Sequence, residues 1–135
     1  MHPNEALLRR GYEAFSSGDL EAVAAMLSED VVWHVGGETV LAGDYKGQAE
    51  VFALFARLAA ATDGTIRIAA RDILANDEHG IVLTRTQASL GEKHLDTDGV
   101  AVFNIVDGRA TEVWVFADDQ EVMDAFVAEA LTRSG

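Results

Sequence analysis

The spacing of apolar residues changes once, at Asp63-Gly64, and that change restricts the chain to one class of fold. Before it, the dominant spacing is helical. Leu8, Tyr12 and Phe15 share one face with Gly11, in a helix that Asn4 is placed to cap and Gly18 to end. Asp19 caps a short second helix with Leu20, Val23, Ala24 and Leu27 on one side. A β-branched run, Val31–Val35, interrupts as a strand, Gly36-Gly37 turns it, and Thr39–Ala42 is predicted to return. Gly47 then precedes a third helix carrying Val51, Leu54, Phe55 and Leu58 at helical spacing. Beyond Gly64 the alternation is that of strands, predicted over 65–74, 80–89, 94–106 and 109–116, with turn residues at 76–80, Gly91 and 106–109. A last helix follows, with Asp118 and Glu121 as a capping pair and Val122, Phe126 and Ala130 as its inner face. Helices first and a strand meander later predict an α+β domain, with helices on one face of a mostly antiparallel sheet.

Size and charge narrow the function classes. The 135 residues fit one domain over 1–135, long enough to bury roughly two-thirds of the surface exposed by the unfolded chain. With 49% apolar residues and one proline, a folded core is expected. The most apolar segment, 51–61, is short and carries Arg57, so it reads as a packed helix and no membrane association is expected. The first ten residues lack a basic stretch followed by an apolar one, and the expected location is cytoplasmic. Net charge is −13, from 23 acids against 10 bases, which argues against nucleic acid as a partner. The absence of cysteine excludes disulfides and thiolate chemistry. His2, His34, His79 and His94 fall on separate elements, so no metal is expected, and no cofactor-binding motif such as G-x-G-x-x-G or a Walker loop occurs. Asp96 and Asp98, in the stretch DTDG, read as surface acids at a strand end.

Three segments, YEAFSSGDLEAVAAMLSEDVVWHV, LAGDYKGQAEVFALFARL and VFNIVDGRATEVWVFADD, together resemble the SnoaL-like, ketosteroid-isomerase-like branch of the nuclear transport factor two-like superfamily. The resemblance runs from about residue 4 to 128. It implies a cone: a curved antiparallel sheet wrapped around the N-terminal helices, with a deep pocket between them, often in a dimer. That fold hosts many chemistries, so the site must be read residue by residue. Against the ketosteroid isomerases, Tyr12 matches the tyrosine that donates to the substrate oxygen, while Val35 stands at the catalytic base and Ala101 near the second donor. Against the limonene-type epoxide hydrolases, Arg85 is kept but Gln87, Phe116, Trp33 and Val35 replace polar groups. The polyketide cyclases of the branch use a histidine and an aspartate from neighbouring strands; Val115 and Phe116 follow Trp114, with no acid before Asp118.

Both comparisons with defined sites put Trp33 and Val35 on the pocket side, and strand alternation then turns His34 outward, unless a bulge near Gly36 reverses it. An inward His34 would be the best general base in the chain. Two classes of function follow. In the first, Tyr12, His34 and Arg85 act as an acid–base set on a small carbonyl or polyketide-like molecule, as an isomerase or cyclase without a cofactor. In the second, the same pocket is a non-catalytic binding or carrier site. Tyr12, Arg85 and Gln87 would then orient a lipophilic ligand among Trp33, Val35, Phe55, Ala101, Trp114 and Phe116. Arg85 is expected either to bind a ligand oxygen or to pair with Glu112. Apolar residues on both faces of 94–106 lead to the expectation of a homodimer through the outer sheet face.

Overall fold

A computed structural model describes residues 2–134, with side chains through 132. Two helices open the chain, α1 (Pro3–Ser17) and α2 (Leu20–Met26), followed by strands β1 (Leu27–Val35) and β2 (Gly43–Lys46). Helix α3 (Gln48–Ala61) precedes the meander β3 (Arg67–Ala75), β4 (His79–Leu90), β5 (Lys93–Val106) and β6 (Arg109–Ala117), and α4 (Gln120–Ser134) closes it. The strands form one curled, unclosed sheet in the order β2-β1-β6-β5-β4-β3. Every neighbouring pair is antiparallel except β1 and β6, which run parallel. Register shifts interrupt the pairings of β1 with β6, β3 with β4 and β5 with β6. Such irregularities bend a strand and let a sheet curl around helices.

Local chemistry explains most boundaries. His2 caps α1, its Nδ1 accepting from the Asn4 N–H at 3.0 Å, and Pro3 occupies the first turn, where a missing N–H costs nothing. Asn4, expected as the cap, lies within the first turn and does different work. Its buried amide donates to the carbonyls of Asn76 and Asp77 at 2.9 and 3.1 Å, tying α1 to the β3–β4 turn. Gly18 ends α1 with φ 77°, and Asp19 caps α2 through the Ala22 N–H. The return strand lies at 43–46, not 39–42. Residues 39–42 form a turn instead, closed by the Ala42 N–H on the Thr39 carbonyl, with the Thr39 hydroxyl accepting from the Leu41 N–H. At α4 the cap is Asp119, which accepts from the Val122 N–H at 3.2 Å; Val122 is half exposed, and Met123, Phe126 and Ala130 face the interior.

The inner sheet face and the helices share a core in which Leu8, Val31, Val51, Val82, Phe103 and Val113 are wholly buried. A second cluster joins Ala61, Ala88, Leu90 and Leu95 to Phe126 and Ala130 of α4. The outer face carries its own apolar strip, in which Ile81 stands across from Val102, Leu83 from Val100, Val102 from Trp114 and Val100 from Phe116. No helix among the described residues is long and apolar enough to cross a membrane.

Candidate functional site

The curl of the sheet leaves a cavity of about 460 Å³ between its concave face and helices α1, α3 and α4, within the range of small-molecule sites. Alternation along β1 sends Trp33 and Val35 into it, and helical spacing along α1 brings Tyr12 and Phe15 to the same space. Phe55 of α3 is the centre of an aromatic cluster. Its ring meets Trp33 and Phe15 edge-on, both at 5.2 Å, and Phe52 at 5.8 Å. Phe103 of β5 receives Trp33 and Tyr12 in the same edge-to-face manner at 6.4 Å. Aromatic pairs favour this geometry over a face-to-face sandwich. The wall around these rings is therefore apolar and close-packed.

Tyr12 is the exception within it. Among the described residues its hydroxyl has no hydrogen-bond partner, and burial pushes its pKa well above the ordinary phenol value. The phenol is thus neutral and remains a donor throughout the physiological range. Charged side chains in the lining, Arg67, Asp98 and Asp124, are already engaged. Arg67 donates to the carbonyls of Gly64 and Ile66, and Asp98 pairs with Arg71 at 3.2 Å. Asp124 joins α4 to the β1–β2 loop: its carboxylate accepts from the Glu38 N–H and from Gln120 Nε2, both at 2.9 Å. Gly37 faces that pair with φ 97°, and a side chain there would collide with Asp124 and Gln120.

The residues singled out from the sequence separate into two groups. Tyr12, Trp33, Val35, Phe55, Ala101 and Phe116 line the cavity, with Phe116 half exposed. His34, Arg85, Gln87 and Trp114 do not. Arg85 and Gln87 lie on the outer sheet face, because the inward positions of β4 are Val82, Thr84, Thr86 and Ala88. This corrects the expected anchoring of a ligand by Arg85 and Gln87. It also corrects the expected pairing with Glu112, since Arg85 instead forms a two-pronged pair with Asp96 at 2.8 and 2.6 Å. That pairing holds the Asp96 carboxyl below its ordinary range. Gln87 adds a long contact to the same carboxylate. Trp114 leaves the ligand-binding set for the same reason of parity, and stacks on His34 at 5.2 Å with 19° between rings. Thr84, Thr86, Phe15 and Phe52 line the cavity without having been singled out as ligand contacts. Phe15 shares the Tyr12 face of α1, and that shared face is the signal the sequence offers for it.

His34 lies on the outer face between two carboxylates. Nδ1 is 2.5 Å from Asp44 Oδ1 and Nε2 is 2.6 Å from Glu112 Oε2. The Asp44 hydrogen bond first, then that of Glu112, raises its pKa above the ordinary value. A raised folded-state pKa gives stabilisation that is complete below the unfolded value near pH 6.5 and disappears as pH rises through the folded value. We expect the His34 imidazole to titrate above 6.5 in an NMR pH series. The melting-temperature advantage over His34→Gln should shrink as pH is raised from about 6 to about 9. An advantage that grows over that interval would show that the histidine is not charged in this cluster.

These features define a class: an α+β cone of the nuclear transport factor two-like superfamily, with an apolar cavity under a curled sheet. The family model described as SnoaL-like domain matches residues 8–113, and the chain belongs to the SnoaL-like family. An uncharacterized protein of Mycobacterium tuberculosis is 34% identical over 123 residues, which span 90% of this chain and 94% of that protein. Bal32a, from a soil-derived mobile gene cassette, is 34% identical with a TM-score of 0.87, covering 92% of this chain and 95% of its own. A protein of unknown function with a cystatin-like fold from Xanthomonas campestris is 27% identical with a TM-score of 0.85, covering 91% of this chain and 96% of its own. Among the described residues no group of three or more His, Asp or Glu side chains is arranged to hold a metal ion.

Proposed function

We propose that the chain binds a small, neutral, lipophilic molecule carrying a carbonyl or hydroxyl oxygen, and that the Tyr12 phenol donates to that oxygen. The observation that carries this reading is the unpartnered, neutral hydroxyl of Tyr12 among the aromatic rings of a mostly apolar cavity. The hydroxyl opens onto the cavity, where a ligand oxygen can accept from it, and one net hydrogen bond of this kind contributes about 0.5–1.5 kcal/mol. The aromatic wall supplies the rest through apolar burial. Binding without turnover is the better supported form of the proposal. His34, the group suited to move a proton, is held by Asp44 and Glu112 on the opposite face of the sheet, and Val35 and Ala101 bring no acid or base.

The test uses a neutral fluorescent ketone, 6-propionyl-2-dimethylaminonaphthalene, titrated with the wild-type protein and two variants. Tyr12→Phe should weaken binding roughly three- to tenfold, the value of one net hydrogen bond. Arg85→Met should leave it unchanged, because the guanidinium is outside the cavity. Unchanged affinity in Tyr12→Phe, or a loss in Arg85→Met with the fold retained, would overturn the proposal.

A further inference from the structure

The opposite end of the same cavity wall carries two more hydroxyls that lack partners. Thr84 and Thr86 are inward positions of β4, 7% and 8% exposed, and both line the cavity. Among the described residues neither side-chain oxygen is engaged in a hydrogen bond, although threonines that cap, turn or bridge in this chain do form them: Thr62 and Thr65 donate to carbonyls at 2.9 and 2.6 Å. Among the described residues Ser28 Oγ is the one buried side-chain polar atom without a partner, so the Thr84 and Thr86 hydroxyls are not sealed in the core but open onto the cavity. Val, with the same shape and no hydroxyl, would be the ordinary choice for an inward strand position of this kind.

Gly99 stands directly across from Thr84 in the β4–β5 register, so no side chain stands beside the Thr84 hydroxyl there; the Phe116 carbonyl closes the Cβ position itself. Position along the sheet separates this place from the Tyr12 end. Tyr12 packs on Phe103, four residues from Gly99 on β5, or roughly 13 Å of strand.

We infer that Thr84 and Thr86 form a second polar subsite, and that the ligand is an elongated apolar molecule with an oxygen at each end. The Tyr12 phenol takes one oxygen, and the threonine pair takes a distal hydroxyl or carbonyl. A hydroxyl can donate and accept, so the pair is able to receive either kind of group. This inference rests on the proposed cavity-binding function, and goes beyond it in assigning the polarity and length of the ligand.

Two rigid probes differ only at the far end: 2-propionylnaphthalene and 6-propionyl-2-naphthol. With wild-type protein the naphthol should bind roughly three- to tenfold more tightly, and Thr84→Val/Thr86→Val should bring the two together. The same double variant should melt no lower than wild type, because it removes hydroxyls that form no protein hydrogen bond; a purely structural role would lower the melting temperature. Thr84→Ser/Thr86→Ser, which keeps the hydroxyls, should keep the preference for the naphthol. Equal affinity of wild type for both probes, or a preference that survives in the valine variant, overturns the subsite while leaving the Tyr12 site standing. Failure of both probes to bind overturns the cavity reading and the subsite with it.

Discussion

Replacing Phe103 by alanine should destabilise the protein by about 3–5 kcal/mol, the range for removing a wholly buried aromatic ring. Phe103 is 1% exposed on the central strand β5, across from Gly80 on one side and Val113 on the other. Its ring meets those of both Trp33 and Tyr12 in T-shaped contact. Removing it costs the transfer energy of the ring and the aromatic contacts, and it enlarges a cavity whose far wall is held by strands that cannot collapse inward. For a domain of this length the melting temperature should fall by roughly 10–20 °C. Phe103→Leu, which retains most of the volume, should lose less than half as much. Chemical denaturation followed by Trp fluorescence measures both, and a loss below about 1 kcal/mol for Phe103→Ala would mean that the ring is not part of the cohesive core.

Gly99→Ala is expected to destabilise the protein by about 1–3 kcal/mol, from a single added methyl group. An ideal Cβ on Gly99 would sit 2.5 Å from the Phe116 backbone oxygen, so two paired strands must move apart to admit it. The clash is with the first carbon, so Gly99→Val should cost little more than Gly99→Ala. Gly36 is the control. A Cβ there meets its nearest neighbours at 3.5 Å, ordinary contact, and Gly36→Ala should change stability by no more than about 0.5 kcal/mol. Equal stability of Gly99→Ala and Gly36→Ala in parallel melts would contradict the close approach of β5 to β6.

The meander was legible because its turns are chemically marked. The strands expected over 80–89, 94–106 and 109–116 occupy 79–90, 93–106 and 109–117. Gly91, Asp107 and Gly108 all adopt positive φ, which Gly and Asp tolerate and β-branched residues resist. Two boundaries were not legible. Leu27 continues the helical spacing of Leu20, Val23 and Ala24, yet it opens β1 because its parallel partner Ala110 lies 83 positions later in the chain. The segment 39–42 has strand-like composition, but Thr39 closes it into a turn and delivers the returning strand at Gly43.

Sequence by itself determined the class of fold, the family and the orientation of β1, since the two periods, the marked turns and the alternation of Trp33, His34 and Val35 are local properties of the chain. Only the tertiary structure decided which face of β4 is the inside. Alternation gives two sets there: Ile81, Leu83, Arg85 and Gln87, or Val82, Thr84, Thr86 and Ala88. The first set holds the larger apolar residues and the charged candidate, and periodicity alone cannot choose between two faces that both carry apolar side chains. The choice comes from packing between elements far apart in the chain. Leu8 of α1 presses against Gly80, where a Cβ would collide with it, and Val82 behind it is wholly buried, so Thr84 and Thr86 turn inward and Arg85 turns out to Asp96. A strand's period is written in adjacent residues, whereas the side it buries is set by the helix that reaches it.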